Sequence, residues 1–183
     1  MKPLDPNYRN LSCQYLTEAL FRLMERKNYN DITVTEITKE AGIARRTFYL
    51  NYTSKDDILD QHYNTLLREY DAGSSEELLT DGKAQGVYFF SFWSRHRDYI
   101  NVLAKNRMMY TMMGRFQLYM DDMMNRLSGG HSGVEENYTA SFIAGGLWMM
   151  LLAWMKNDFR ETPEQLGEIY VNITGSSTVK EQE

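Results

Sequence analysis

Apolar residues recur every three to four positions through most of the chain, a spacing typical of amphipathic α-helices. In residues 10–27, for example, Cys13, Leu16, Leu20 and Leu23 share one face of a helix. The same spacing predicts further helices over residues 34–41, 44–51, 55–70, 83–94, 96–104, 107–127, 135–157 and 163–174. No segment alternates with a period of two, so we expect an all-α protein of about nine helices.

Local signals mark the ends of several predicted helices. Thr33 and Glu36 have the spacing of a capping box, in which each side chain bonds to the other residue's backbone N–H. Gly42 suits the left-handed conformation that ends helices. Thr162 is followed by Pro163, which favours the first position of a helix.

Glycine, serine and acidic residues concentrate in residues 72–82 and 128–133, which predicts two loops, and the tail from Gly175 is polar. Hydrophobic residues make up 43% of the chain and charged residues 25%, as in soluble globular proteins. The longest uncharged apolar stretch, residues 142–155, is shorter than the ~20 residues that span a bilayer. We therefore expect a buried helix there and no membrane segment.

The start of the chain lacks the apolar core of a signal peptide. The lone Cys13 excludes an internal disulfide and fits a reducing compartment, so we expect a cytoplasmic protein. The net charge of −5 argues at first against a nucleic-acid partner. However, residues 1–60 balance nine basic against nine acidic residues, and residues 61–183 carry the whole deficit. Because DNA affinity depends on local basic groups, nucleic-acid binding remains open.

Two short helices joined by a glycine-containing turn and braced by a preceding helix are typical of a helix-turn-helix. The second helix of such a motif enters the major groove of DNA. Here that helix reads ARRTFYLNY over residues 44–52. Phe48 and Tyr52 lie four positions apart and should pack inward. The side chains left to face outward belong to Arg45, Arg46, Thr47, Tyr49 and Asn51.

These outward residues offer donors suited to DNA. Arginine can donate two hydrogen bonds to guanine O6 and N7, worth about 1–3 kcal/mol of discrimination. Thr35, Tyr49 and Lys55 are better suited to phosphate oxygens, and Lys55 also opens a helix whose N-terminus favours anions. The alternative is that two adjacent arginines, Arg45 and Arg46, belong to an ordinary solvated surface.

Residues 16–59 resemble the N-terminal domain of the TetR/AcrR family of transcriptional regulators. The resemblance rests on the Thr-Val-x-x-Ile step at residues 33–37, the Ala-Gly-Ile turn at 41–43, Thr-Phe-Tyr at 47–49 and Lys-x-x-x-Leu at 55–59. It implies a helix-turn-helix domain over residues 1–54 and a helical effector-binding and dimerisation domain over residues 55–183. One departure is Tyr52, where the family has phenylalanine or another apolar residue. Its hydroxyl group needs either a hydrogen-bond partner or an exit to solvent.

The resemblance also implies the DNA-binding residues, which are Thr33, Thr35, Ala44, Arg45, Arg46, Thr47, Tyr49, Asn51 and Lys55. It implies a homodimer that binds a palindromic double-stranded operator and is released by an effector. Repression is the family's default. An activator, or a regulator controlled by a protein partner rather than a small molecule, remains an alternative.

The closing segment, residues 145–173, resembles the end of one subgroup of the family, whose last two helices form a four-helix bundle with those of a partner. We therefore expect a dimer interface that includes Leu147, Trp148, Leu151, Leu152, Met155, Leu166, Ile169, Tyr170 and Ile173. A helix that is apolar all round must be buried, and burial in a monomer core is the alternative.

Residues 87–124 are dense in aromatic residues and methionine, which adapts to varied ligand shapes. The family's effector pocket lies among these helices. We therefore expect a small hydrophobic or aromatic effector at Phe89, Trp93, Tyr99, Met109, Met112, Met113, Phe116 and Met120. A packed core is the alternative.

Catalytic motifs are missing from the sequence. It contains no G-x-S-x-G, G-x-G-x-x-G or H-E-x-x-H. One cysteine and three scattered histidines do not form a recognisable zinc site. We therefore expect no enzyme activity, no metal and no cofactor.

Overall fold

A computed structural model describes residues 6–74, 81–127 and 133–175. Most of the two predicted loops and the tail after Gly175 lie outside these residues. The described parts contain no strand, one 3-10 turn (Tyr29–Asp31) and nine α-helices. The helices are α1 (Pro6–Arg26), α2 (Val34–Ala41), α3 (Arg45–Asn51), α4 (Lys55–Gly73), α5 (Gly82–Arg95), α6 (Arg97–Lys105), α7 (Met109–Leu127), α8 (Val134–Lys156) and α9 (Pro163–Thr174). The all-α prediction is confirmed.

The predicted helix ends are also confirmed. The Thr33 hydroxyl accepts a hydrogen bond from the Glu36 N–H at 3.3 Å, and the Glu36 carboxylate accepts one from the Thr33 N–H at 2.8 Å. Gly42 ends α2 with a φ of 66°, a conformation that side chains other than glycine's rarely allow. Thr162 caps α9, with proline at the first helical position. These ends form as predicted because each depends on residues within one turn of the chain.

The helices form two compact units, the first ending at Asp71 and the second starting at Ala72. The first unit has a fully buried core made of Leu16, Leu20, Met24, Ile37, Phe48, Ile58 and Tyr63. This unit extends past the boundary at residue 54 that the sequence predicts. The reason is that α4 contributes Ile58, Leu59 and Tyr63 to the buried side chains of the first unit.

The second unit is built around aromatic rings from three helices. Trp148 of α8 lies 5.7 Å from both Trp93 of α5 and Phe116 of α7, measured between ring centroids. Helix α9 packs closely on α5 at Gly167, where an added Cβ would lie 2.5 Å from a Val87 methyl carbon and 3.0 Å from a backbone oxygen. We infer that glycine at this position permits the close packing of α9 on α5.

Helix α8 is the most apolar helix of the second unit. Its residues Asn137–Lys156 form a 20-residue stretch that is long and apolar enough to cross a membrane by those two criteria alone. One third of the stretch is buried inside the protomer, where Ala144, Trp148 and Leu151 enter the core. The opposite side is apolar and exposed. Helix α8 therefore has one core face and one face that the described residues leave uncovered.

Candidate functional site

The turn between α2 and α3 is held by backbone hydrogen bonds. The Gly42 N–H donates to the Lys39 carbonyl at 3.2 Å, and the Ile43 N–H donates to the Thr38 carbonyl at 3.0 Å. Phe48 is fully buried and anchors α3 to the rest of the unit, and the ring of Tyr52 is buried beside it. The prediction that Phe48 and Tyr52 face inward is therefore confirmed.

The outer side of α3 is a mixed surface of cationic, aromatic and small side chains. Its exposed residues are Ala44, Arg45, Arg46, Tyr49 and Leu50. Thr47 and Asn51 are half-buried, and Thr33 and Thr35 are exposed at the start of α2. Leu50 was not among the residues predicted to face outward, although it is not part of the inward-facing pair Phe48 and Tyr52. An apolar side chain here could contact the methyl group of thymine.

Arg45 and Tyr49 lie one turn apart and contact each other. The Arg45 guanidinium carbon is 5.7 Å from the centroid of the Tyr49 ring, and Nη2 donates to the tyrosine hydroxyl at 3.4 Å. Tyr49 is 52% exposed. The ring thus restricts the conformations of the guanidinium group at the surface of α3, so that binding a ligand would cost this group less conformational entropy.

The Asn51 side-chain amide is already engaged inside the protein. Its Nδ2 donates to the Thr47 carbonyl at 2.8 Å, and its Oδ1 accepts from Arg9 Nε at 3.1 Å. These bonds place Arg9, an exposed residue of α1, beside α3. Sequence analysis did not find Arg9 because the contact joins residues 42 positions apart. Arg9 adds a third exposed cation beside α3, after Arg45 and Arg46.

The side chain of Lys55 is not placed to bind phosphate. Its ammonium group donates to the backbone carbonyls of Tyr29 at 2.6 Å, Ile32 at 2.8 Å and Asn30 at 3.2 Å. It also lies 4.4 Å from the centroid of the Tyr29 ring. Because an ammonium group has three donors, these carbonyls use its whole capacity. The structure therefore corrects the predicted role: Lys55 links α4 to the turn before α2.

The N-terminus of α4 is also occupied by the chain itself. The Asp57 carboxylate accepts hydrogen bonds from the Thr53 N–H and hydroxyl, both at 2.6 Å, and from the Ser54 N–H at 3.3 Å. These bonds, those from Thr53 first, lower the pKa of the Asp57 carboxyl. An internal carboxylate thus takes the place that the sequence analysis assigned to a DNA phosphate.

The Glu36 carboxylate combines the capping box with an ion pair. The Lys27 ammonium group lies 2.8 Å from Glu36 Oε1, and the Thr33 N–H and hydroxyl each lie 2.8 Å from Oε2. The bond from Lys27, followed by those from Thr33, lowers the pKa of Glu36 from 4.5 to about 2. A depressed pKa stabilises the folded state fully above pH 4.5, and this stabilisation is lost as the pH falls to about 2.

Glu36→Gln should therefore be less stable than the wild type at pH 7, because glutamine keeps the reach-back hydrogen bond of the cap but loses the charge. The difference should shrink as the pH falls from 4.5 to 2, where the wild-type carboxylate also becomes neutral. Urea unfolding of both proteins across this range at constant ionic strength measures the effect. A difference that does not change with pH would show that the charge of Glu36 contributes nothing.

Other basic residues of the first unit are paired between α1 and α2. Arg22 Nε and Arg26 Nη2 lie 3.1 and 2.8 Å from the same Glu40 carboxylate oxygen. Hydrogen bonds from these two arginines lower the pKa of Glu40. Pairs this exposed contribute little to stability. Arg22 and Arg26 are therefore engaged with Glu40 of α2, whereas Arg45 and Arg46 are the exposed arginines of α3.

A groove of about 410 Å³ lies between α1 and α4 in the first unit. Its wall includes Phe21 and His62, whose rings pack edge to face at 4.9 Å, and the half-buried Cys13. Tyr52 lies in the wall of this groove together with Cys13 and Thr17. Burial, followed by interaction with the Cys13 side chain, raises the pKa of the Tyr52 hydroxyl.

The residues predicted to bind an effector form a packed cluster in the second unit. Seven of them are buried, and Met113 is half-buried. The buried members are Phe89, Trp93, Tyr99, Met109, Met112, Phe116 and Met120. The cluster is therefore core in this conformation, which was the alternative left open by the sequence. An effector would have to enter it by displacing side chains.

The residues predicted to form the dimer interface fall into two sets. Leu147, Trp148, Leu151, Leu166 and Tyr170 are buried within the protomer, so they do not face a second copy. This corrects their predicted role, because side chains already covered by their own chain have no surface left to bury. Leu152 and Met155 are half-buried, whereas Ile169 and Ile173 are exposed as an interface requires.

Comparison with known families identifies the fold. Residues 16–61 match the family model described as bacterial regulatory proteins, tetR family. Residues 83–175, just over half of the chain, match the model described as a transcriptional regulator C-terminal region. The chain belongs to the TetR family. Members of this family are DNA-binding transcriptional regulators and not enzymes, so the resemblance and the prediction of no enzyme activity are both confirmed.

Individual relatives of this TetR-family protein are distant. The uncharacterized HTH-type regulators YxbF and YuxN of Bacillus subtilis are 24% and 25% identical over 158 and 179 residues, or 82% and 86% of this chain. The matches span 41% and 60% of the lengths of those two proteins. EthR of Mycolicibacterium smegmatis is 38% identical over 52 residues, which cover 28% of this chain and 24% of EthR.

One similar solved structure is a Clostridium perfringens protein named as a candidate fatty acid metabolism regulator. It superimposes with a TM-score of 0.61 at 17% identity and covers 91% of this chain and 100% of its own. At this identity the likeness concerns the fold alone. It supports the arrangement of an N-terminal helix-turn-helix followed by a larger helical unit.

Proposed function

We propose that this TetR-family protein is a cytoplasmic repressor that binds a palindromic operator as a homodimer and releases it when an effector binds the second unit. The observation that carries DNA reading is the surface of α3. Buried Phe48 fixes the helix, while Arg45, Arg46 and Tyr49 are exposed on its outer side. The paired donors of an arginine match guanine O6 and N7 in the major groove.

Homodimerisation is supported by the exposed apolar face of α8 and α9. Tyr138, Phe142 and Met149 follow one side of α8, and Ile169 and Ile173 are exposed one turn apart on α9. Large exposed apolar side chains that share one side of a helix, as these do on α8, mark an interaction site. TetR-family regulators are usually dimers. We assign the interface to these five residues, which we call the α8–α9 face.

A two-fold dimer gives the operator its symmetry. Two copies of α3 related by a two-fold axis fit two half-sites in successive major grooves, about 34–36 Å apart. An effector that favours a conformation with another separation would release the DNA. Near-complete release requires about a 10⁴-fold difference in effector affinity between the two conformations.

Selection from a random duplex library should enrich a palindrome. Arg45→Ala should weaken binding to that palindrome by about tenfold to a hundredfold, because it loses a bidentate contact to a base. Binding to random DNA should change much less, since nonspecific affinity comes from phosphate contacts. Fluorescence anisotropy at fixed salt measures both affinities.

The matched control is Arg68→Ala, which removes an exposed arginine from α4 and should leave both affinities near the wild-type values. Equal losses for Arg45→Ala on the palindrome and on random DNA would mean that Arg45 contacts phosphate and reads no base. Enrichment of sites without two-fold symmetry would contradict the palindromic operator.

A further inference from the structure

Two tryptophans in the core of the second unit have unusual surroundings. Trp93 of α5 and Trp148 of α8 are each 1% exposed, and their rings pack edge to face. Neither indole N–H has a hydrogen-bond partner among the described residues. Trp154 provides the contrast, since its indole N–H donates to the Glu161 carbonyl at 3.0 Å. The core therefore holds two buried donors that the described residues do not satisfy.

An unsatisfied buried donor is costly because it loses its hydrogen bond to water and gains no other. Most buried polar groups in native proteins are paired, and an exception calls for a specific explanation. Two exceptions in contact with each other are more informative than one. A bound molecule with a hydrogen-bond acceptor would satisfy these N–H groups.

The surroundings of the two indoles are apolar and adaptable. Phe116 lies against Trp148, and Phe89 lies 5.4 Å from Phe116 between ring centroids. Met112 and Met120 are buried on the same helix as Phe116, one turn away on either side. Methionine side chains change shape at low cost, so this cluster can open for a ligand more readily than one of branched residues.

The scarcity of buried cations in the core of the second unit indicates the charge of the ligand. Among the described residues, the buried polar side chains other than aromatic ones are Ser12 and Thr38, and both belong to the first unit. The described part of the second unit buries no lysine or arginine that could pair with a carboxylate, and its His96 is half-buried. Moving an unpaired carboxylate into such a core is far more costly than moving a neutral carbonyl.

We propose that Trp93 and Trp148 bind the neutral carbonyl oxygen of an apolar ligand, such as a ketone or an ester, through their indole N–H groups. This inference rests on the proposed function, because it names the chemical class of the effector that acts on the second unit. The ligand enters the aromatic and methionine cluster and accepts hydrogen bonds from donors that have no partner among the described residues.

The test uses ¹⁵N-labelled protein and two probes of equal size. Acetophenone carries a carbonyl oxygen, whereas isopropylbenzene has nearly the same shape and no acceptor. The protein has three tryptophans, and single Trp→Phe variants assign their indole N–H signals. Acetophenone should move the Trp93 and Trp148 signals downfield, in the direction of a new hydrogen bond. Isopropylbenzene should not produce that downfield shift, and the Trp154 signal should stay in place with both probes.

Trp93→Phe and Trp148→Phe should each weaken acetophenone binding by about tenfold. Trp154→Phe, which removes an indole that is already partnered, should leave binding within about twofold of the wild type. Thermal unfolding identifies any variant that fails to fold. In that case the spectra of the wild-type protein with the two probes test the proposal. Equal responses to both probes, or no response of either buried indole, would overturn the proposal.

Binding to the selected palindrome is measured on the same samples without probe. If the protein binds DNA normally but the Trp93 and Trp148 indole signals do not shift with acetophenone, the carbonyl site is refuted and the proposed function is unaffected. A downfield response of both indoles in a protein that binds no DNA would support the site and refute the proposed function.

Discussion

Phe142→Glu should convert the protein from a dimer to a monomer and abolish tight binding to a palindromic operator. Phe142 is 63% exposed on the α8–α9 face, so the substitution leaves the protomer core intact. In a two-fold dimer, each copy would place a new carboxylate in an apolar interface. A residue near the two-fold axis would also face the same carboxylate of the second copy. Unpaired buried charge costs several kcal/mol, so the dimer dissociation constant should rise at least a hundredfold.

Sedimentation velocity across a concentration series measures the association directly. The matched control is Tyr110→Glu, which puts the same charge in place of an aromatic residue that is 69% exposed on α7. This control should stay dimeric and bind the palindrome as the wild type does. If Phe142→Glu also stayed dimeric, the α8–α9 face would not be the interface. If both variants became monomers, the interface would extend beyond that face to α7.

The two sides of α8 show why the interface could not be predicted from the sequence. Leu147, Trp148 and Leu151 are as apolar as Phe142 and Met149, and the helix has hydrophobic residues on every side. A pattern of this kind predicts that the helix is buried. It does not tell which side the same chain covers, since that depends on the helices packed against it. The predicted interface therefore included side chains that the core of the second unit buries, and the contact of α8 with a second copy stays a prediction.

The helix-turn-helix was easier to predict because its signals are local. The capping box of Thr33 and Glu36, the left-handed Gly42 and the inward side of α3 each depend on residues within a few positions. Arg9 was not predicted and Lys55 was predicted to bind phosphate, because their contacts join residues 42 and up to 26 positions apart. Periodicity indicates that such side chains are polar, whereas only the fold decides whether a polar group meets solvent, DNA or a backbone carbonyl.

Lys55→Met should lower the stability of the first unit and leave the intrinsic DNA affinity of the folded protein nearly unchanged. Hydrogen bonds from a charged group are stronger than neutral ones, and the substitution leaves carbonyls of Tyr29 and Ile32 without this donor. Because the side chain is only half-buried, water can replace part of what is lost. We expect the free energy of unfolding to fall by about 2–3 kcal/mol.

Two measurements distinguish a structural link from a phosphate contact at Lys55. A link predicts a lower melting temperature and an unchanged slope of log affinity against log salt, when binding is measured well below the melting temperature. A phosphate contact predicts an unchanged melting temperature and a slope reduced by about one. Lys39→Met is the matched control, since this exposed lysine should change stability by no more than about 0.5 kcal/mol. A reduced slope with full stability would restore Lys55 to the DNA interface, and α4 would then have to release its side chain from the carbonyls on binding.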